Sequence, residues 1–181
     1  MDKKINIKKE KIGKLILVTG GQRSGKSEFA ENLALQLSSC PVYLATARIF
    51  DEEMRKRVRL HQKRRENIWE NLEEPLYASN ANVNSDDVVL LDCLTLLSTN
   101  WFFEDDENIE AALSDIQNQL EGLFSKGSTI IIVTNEIGMG GVSDNELQRK
   151  FTDLQGWINQ YVANRADDVY MLVSGIPVKI K

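Results

Sequence analysis

The chain has 181 residues, of which 42% are hydrophobic and 27% charged, with only 3 Pro and 11 Gly. It is long enough to bury one sizeable core, and too evenly composed to be collagen-like, disordered or of low complexity. A formal net charge of -5 withholds the positive footprint that coating a nucleic acid needs, and the longest apolar runs, Val88 to Leu91 and Ile130 to Val133, fall far short of the roughly 20 residues that span a bilayer. No nucleic-acid partner and no membrane span are expected.

In chain order, residues 1–13 form a Lys-rich leader without the apolar stretch and small-residue cleavage site of a secretion signal. It reads as a solvated, mobile arm on a cytoplasmic protein, ahead of a single nucleotide-binding catalytic domain over residues 14–181. Cys40 and Cys93 read as reduced, partly buried thiols. Five short β-branched runs recur: Leu15 to Thr19, Val42 to Thr46, Val88 to Asp92, Thr129 to Thr134 and Val169 to Ser174. They are apolar at nearly every position, as strands covered on both faces are.

Helical spacing fills most of the gaps. Phe29, Leu33, Ala34 and Leu37 make one stripe, Ile109, Leu113, Ile116, Leu120 and Phe124 a second, and Leu147, Phe151, Leu154, Ile158 and Tyr161 a third. The acidic run Glu104 to Glu107 is expected to open the second of these helices, where carboxylates suit the positive end of the dipole. Asp51 to Trp69 is expected to be helical with Asp51 as N-cap, and Ser79 to Asp87 to be a surface connection. The alternation predicts an α/β fold, a mostly parallel sheet with helices on both faces. In such a sheet ligands collect at the carboxyl ends of the strands. Those ends carry Thr19-Gly20, Thr46, Asp92, Asn135-Glu136 and Ser174-Gly175, small and polar residues that core packing does not require.

Gly20-Gly21-Gln22-Arg23-Ser24-Gly25-Lys26-Ser27 matches G-x-x-x-x-G-K-[ST] between an apolar strand and an amphipathic helix, the context in which that motif cradles phosphates. The fold is therefore expected to be of the P-loop NTPase type. Successive N–H groups of the loop form an anion nest, Lys26 reaches the β- and γ-phosphates, and the Ser27 hydroxyl can ligate Mg²⁺. Asp92, a carboxylate ending an apolar strand, is the expected second metal or nucleotide contact. ATP or GTP with Mg²⁺ is thus implied, with no tightly bound organic cofactor. A guanine reader of the regulatory GTPases is missing, because the corresponding place reads Thr134-Asn135-Glu136-Ile137. Asp153-Leu154-Gln155-Gly156 satisfies a D-x-x-G pattern but falls inside a helical stripe, so it is no switch.

His61 is the one histidine, with Arg57 four residues before it and Arg64 and Arg65 three and four after. On a helix these cations flank the imidazole, disfavour its protonation and keep it nucleophilic, while attracting a nucleoside triphosphate. The same spacing suits a surface helix with a solvated basic run, and spacing alone does not choose between them.

From Lys14 to Lys181 several blocks occur in one order: Val18 to Ser27; Tyr43-Leu44-Ala45-Thr46-Ala47; Asp51 to Met54 leading to Arg57-Val58-Arg59-Leu60-His61; Trp69 with Glu73-Glu74-Pro75; Leu90 to Thr95; Thr134 to Gly140; and Ser174 to Lys179. Together they resemble the bifunctional adenosylcobinamide kinase/adenosylcobinamide-phosphate guanylyltransferase family of cobalamin synthesis. The resemblance implies phosphorylation of the aminopropanol hydroxyl of adenosylcobinamide by ATP or GTP. It further implies attack by His61 on the α-phosphate of GTP and transfer of the GMP to the corrinoid phosphate, giving adenosylcobinamide-GDP and pyrophosphate. Imidazole is both a good nucleophile and a good leaving group, as a double displacement requires. Nucleotide contacts implied by the resemblance are Thr46, Ala47, Gln62, Lys63, Arg64, Arg65, Glu73 and Asp92, and the implied assembly is a homotrimer. Two departures stand out: Asn71 where the family commonly has Thr, and Gly140-Gly141-Val142-Ser143 where Ile and Pro are expected after the glycine. A small-molecule kinase lacking the guanylyl step is the alternative, and a nucleotide-dependent binding module a third.

Overall fold

Strands apolar at successive positions have to be covered on both faces, and the alternation of their side chains shows how. In the run from Leu15 to Thr19, Ile16 and Val18 face one way and Leu17 the other; in the run from Thr129 to Thr134, Ile131 and Val133 oppose Ile130 and Ile132. The structure is a computed structural model that describes residues 13–48, Glu52 and residues 68–181. His61, the segment Gln62 to Arg65, and the leader up to residue 12 lie outside the described residues.

Seven strands, β1 (Leu15–Gly20), β2 (Val42–Ala45), β3 (Glu70–Glu73), β4 (Val88–Asp92), β5 (Thr129–Val133), β6 (Asp168–Val173) and β7 (Ile176–Lys179), form one sheet in the order β3-β2-β4-β5-β1-β6-β7. All neighbours are parallel except β6 and β7, which form an antiparallel hairpin. Helix α1 (Lys26–Leu37) covers one face through Ala30 and Ala34. Helices α2 (Leu94–Glu104), α3 (Ile109–Phe124) and α4 (Glu146–Arg165) cover the other, burying Leu97, Phe102, Ile116, Leu120, Leu154 and Ile158 against Leu17, Leu91 and Ile132. The expected α/β sheet with helices on both faces is the fold observed.

Several expectations are corrected. Two strands come in addition to the five anticipated: β3 is short and polar at all positions but Leu72, and β7 carries a proline, so neither shows the apolar run of an inner strand. The acidic run does not open a helix. Glu104 is the last residue of α2, Asp106 and Glu107 turn the chain with φ of 50° and 63°, and Asn108 caps α3 by accepting the Ala111 N–H. The connection over Ser79 to Asp87 is not purely superficial, since Ala81 and Val83 are buried after a 3-10 turn at Ala78–Asn80. The helix expected from Asp51 does not reach Trp69: Glu52 is helical, but Ile68 and Trp69 form a turn and bend into β3, with Trp69 packed edge-on against Tyr43. Of the two thiols, both free, Cys40 is exposed and only Cys93 is partly buried. Gly13, assigned to the leader, is already tied to the body by its N–H to Gly127 O at 3.0 Å. Among the described residues no helix is long and apolar enough to cross a membrane.

A phosphate-binding crevice as the candidate active site

The P-loop leaves the sheet at the end of β1 and enters α1 through a path only a few residue types allow. Gly20 has φ 146°, and a Cβ there would lie 2.6 Å from Leu172 O and 2.8 Å from Ser24 Oγ, so the β6 backbone can approach this closely only because the side chain is hydrogen. Gly25, at φ 94°, is the residue before α1, and no side chain caps that helix, which leaves its first N–H groups facing the loop's concavity. The loop is braced from outside by the β6–β7 turn: Gly175 N–H donates to Ser24 O at 2.9 Å.

Lys26 is the charged group of this cradle, and it is 7% exposed. Its Nζ donates to Gly21 O at 2.5 Å and lies 3.5 Å from Ser24 Oγ, so the ammonium is folded back across the loop onto acceptors that a phosphate oxygen can replace. Burial holds its pKa below the ordinary lysine value, offset in part by the pull of Asp92, which puts the ammonium within the field of the β4 carboxylate. Ser27 follows in the first turn of α1. Gln22 and Arg23 are exposed, Arg23 with φ 59°.

Asp92 ends β4, and Tyr43 Oη donates to its Oδ2 at 2.9 Å. Strand β5 intervenes between β4 and β1, so Asp92 stands two strands, roughly 10 Å, from the loop's strand. A gap of that size has room for a hydrated cation. Mg²⁺ keeps several waters and takes only one or two protein oxygens beside the phosphates, so the Ser27 hydroxyl and the Asp92 carboxylate fit as its donor set. The neighbouring Cys93 thiol is pushed up to about 12, first by burial and then by Asp92, so it stays neutral and adds no negative charge to a phosphate site.

The two other strand ends are fixed by side chains. Thr46 is fully buried; its Oγ1 accepts the Cys93 N–H at 3.0 Å and donates to Cys93 O at 2.7 Å, and its carbonyl accepts from Asn100 Nδ2. As placed, the Thr46 hydroxyl ties the β2 and β4 ends together. Ala47 follows, half-buried, and Glu73 ends β3 in register with Ala45, exposed on the same edge of the sheet. Beyond β5, Glu136 N–H donates to Gly20 O at 3.1 Å, joining this strand end to the P-loop.

A buried polar network holds that strand end. Thr134 Oγ1 donates to Asn159 Oδ1 at 2.7 Å, Gln155 Nε2 donates to Thr134 Oγ1 and Asn159 Oδ1, Asn159 Nδ2 donates to Asn135 O, and Thr95 Oγ1 accepts the Asn135 N–H. The supporting roles of Tyr43, Thr95, Thr134, Gln155 and Asn159 were not anticipated from the sequence. Their signal was available in Gln155 and Asn159, two amides one turn apart beside the core residues Leu154 and Ile158. Thus the structure brings Gly20 to Ser27, Asp92, Thr46, Ala47 and Glu73 to one edge of the sheet, whereas His61 and residues 62–65 lie outside the described residues.

Comparison with known proteins bears on the family. A family model described as cobinamide kinase / cobinamide phosphate guanyltransferase matches residues 16–180. The bifunctional adenosylcobalamin biosynthesis proteins CobU of Escherichia coli (strain K12) and of Salmonella typhimurium are each 39% identical to it, over 92% of this chain and 99% of theirs. The bifunctional adenosylcobalamin biosynthesis protein CobP of Pseudomonas aeruginosa is 38% identical over 91% of this chain and 96% of its own. The crystal structure of the RadB recombinase aligns with a TM-score of 0.46 and 16% identity, covering 87% of this chain and 73% of that one, too loosely to inform the site.

Proposed function

Because the chain belongs to the cobinamide kinase / cobinamide phosphate guanyltransferase family, we propose that it phosphorylates the aminopropanol hydroxyl of adenosylcobinamide with ATP or GTP and then moves GMP from GTP onto the new phosphate. The observation that carries the kinase half is the buried Lys26 folded onto Gly21 O inside an uncapped loop-to-helix turn. A γ-phosphate entering that turn takes the place of a backbone carbonyl as the ammonium's partner, and the exchange gains because the phosphate is fully charged. Lys26 and the loop N–H groups then hold the phosphoryl oxygens while the substrate hydroxyl attacks the γ-phosphorus and the bond to the β-phosphate oxygen breaks. Mg²⁺, held by Ser27 and Asp92, would neutralise phosphate charge when bound. Tyr43 orients Asp92 for this by donating to Oδ2.

The guanylyl half rests on His61, the chain's one histidine, within the Asp51 to His61 block. One imidazole nitrogen attacks the α-phosphorus of GTP, a nitrogen–phosphorus bond forms, and pyrophosphate leaves. An oxygen of the corrinoid phosphate then attacks the same phosphorus and displaces the imidazole, giving adenosylcobinamide-GDP. Gln62, Lys63, Arg64, Arg65, Ala47 and Glu73 are the nucleotide contacts of this reading. Action in the cytoplasm and assembly as a homotrimer belong to it too. The two free thiols support the first, and the apolar row Ile176, Val178 and Ile180 on the edge hairpin, each at least half exposed, supports the second.

Labelled GTP tests the reading. α-Labelled GTP should leave acid-labile label on the protein and γ-labelled GTP none, and His61→Asn should abolish the α-label while cobinamide phosphorylation continues. Phosphorylation without any protein-bound label would leave a kinase alone; label persisting in His61→Asn would exclude this nucleophile.

A further inference from the structure

Nucleotide chemistry does not account for the surface next to the crevice between α2 and α4. Asn159 of α4 is level with the end of β5 through Thr134, so at about 1.5 Å per residue Phe151 stands roughly 12 Å further on, past the carboxyl edge of the sheet. Helix α2 keeps it company there, with Phe102 against Phe151 at 5.7 Å between ring centres. Between the two projecting helices lies an open groove of about 270 Å³, walled by Thr99, Phe102, Phe103, Leu147 and Phe151. Phe103 is 55% exposed, and Met139 and Val142, on the loop that joins β5 to α4, are 72% and 88% exposed. Large apolar groups gathered beside a catalytic edge mark a surface that something covers.

The rim is polar in a particular way. Asn145 Oδ1 accepts the Gln148 N–H, and Gln148 Oε1 accepts from the Ser143 hydroxyl, so both amides use their oxygens within the protein. Among the described residues their NH₂ groups make no hydrogen bond, which leaves two donors at an apolar groove.

We propose that this groove seats one edge of the corrinoid macrocycle, an inference that rests on the bifunctional reading above. A corrinoid is an apolar ring fringed with primary amides, and its amide carbonyls match the free donors of Asn145 and Gln148 while its ring edge matches Phe103 and Leu147. The groove is too small to enclose a macrocycle, so it takes one edge and the rest lies toward Met139 and Val142. The groove is built on elements that also reach the crevice. Thr95 holds Asn135 at the crevice, Thr99 is one turn along α2 from it, and the loop from Asn135, tied beside the P-loop through Glu136, ends at Asn145 on the rim. A ring docked there sends its aminopropanol arm along α2 toward the P-loop.

The test uses the full chain with cobinamide as probe, binding followed by equilibrium dialysis and turnover by formation of cobinamide phosphate. Phe103→Ser should raise the Kd and KM for cobinamide about tenfold, with kcat little changed and with the KM for GTP and the rate of protein–GMP formation as in the unaltered chain. Gln148→Ala, on an exposed residue, should weaken cobinamide several-fold and carries the test should Phe103→Ser not fold. Unchanged cobinamide affinity in both variants overturns the groove assignment. So does light scattering that shows Phe103→Ser breaking an assembly of copies, since the groove would then be covered by another copy. If the unaltered chain makes no product from cobinamide, the bifunctional reading itself fails, a result distinct from active enzyme with indifferent variants.

Discussion

The two sides of the crevice are held by opposite means. On the β1 side the cradle is backbone: positive φ at Gly20, Arg23 and Gly25, an uncapped α1, and one ammonium resting on a carbonyl. On the β4 and β5 side the strand ends are tied by buried side chains, with Thr46 on Cys93 and the set Thr95, Thr134, Gln155 and Asn159 around Asn135. A surface that receives phosphate has to keep its N–H groups free, so it cannot use them for its own support. The neighbouring strand ends supply the rigidity, and buried polar networks do so well because each missing partner is costly.

Lys26→Ala attacks the receiving side and should have the largest effect. Phosphoryl transfer to cobinamide should fall by at least about 10²–10³-fold with the urea midpoint nearly unchanged, because the lost charge acts in the transition state and not in the core. Asn159→Ala attacks the supporting side and should do the reverse. It strips Thr134 of an acceptor and Asn135 O of a donor inside the protein, and urea unfolding should show a loss of about 2–4 kcal/mol. If Asn159→Ala spared stability and Lys26→Ala unfolded the chain, the division of labour drawn here would be wrong.

Thr46→Val sharpens the contrast within the supporting side. It keeps the shape and removes the hydroxyl that serves both the N–H and the C=O of Cys93, so a loss of about 1–3 kcal/mol is expected. The KM for nucleotide should stay near that of the unaltered chain, which separates positioning from contact. The smallest effect is expected far from both sides, at Asp168. Its carboxylate binds Lys179 at 2.5 Å and has a pKa below the ordinary aspartate value, chiefly through that hydrogen bond. A depressed carboxylate stabilises the fold above its unfolded pKa and loses that contribution as pH falls through the folded value. Asp168→Asn should therefore melt slightly below the unaltered chain at neutral pH, and the difference in melting temperature should vanish in strong acid.

Much of this arrangement was legible residue by residue. Gly20 to Ser27 announced both a turn and its chemistry, since a loop that must curl inward and hold an anion has few compositions open to it. The inner strands β1, β4 and β5 were legible for a related reason: burial on both faces leaves an apolar run. Edge strands β3 and β7 lack that demand, because one side of each meets water or a hairpin partner, and their sequences read as connections. The acidic run after α2 misled because carboxylates suit a helix start, yet the positive φ of Asp106 and Glu107 had already ended the helix before Asn108 capped the next.

By itself the sequence determined the phosphate cradle, the α/β class and, through the order of its blocks, the family, because each is written in local spacing or in period. Only the tertiary structure decided that β5 separates Asp92 from the P-loop strand, that the Thr46 hydroxyl serves Cys93, and that α2 and α4 open a groove beside the crevice. Strand order and helix packing join residues dozens of positions apart, and no local periodicity encodes which of them will meet.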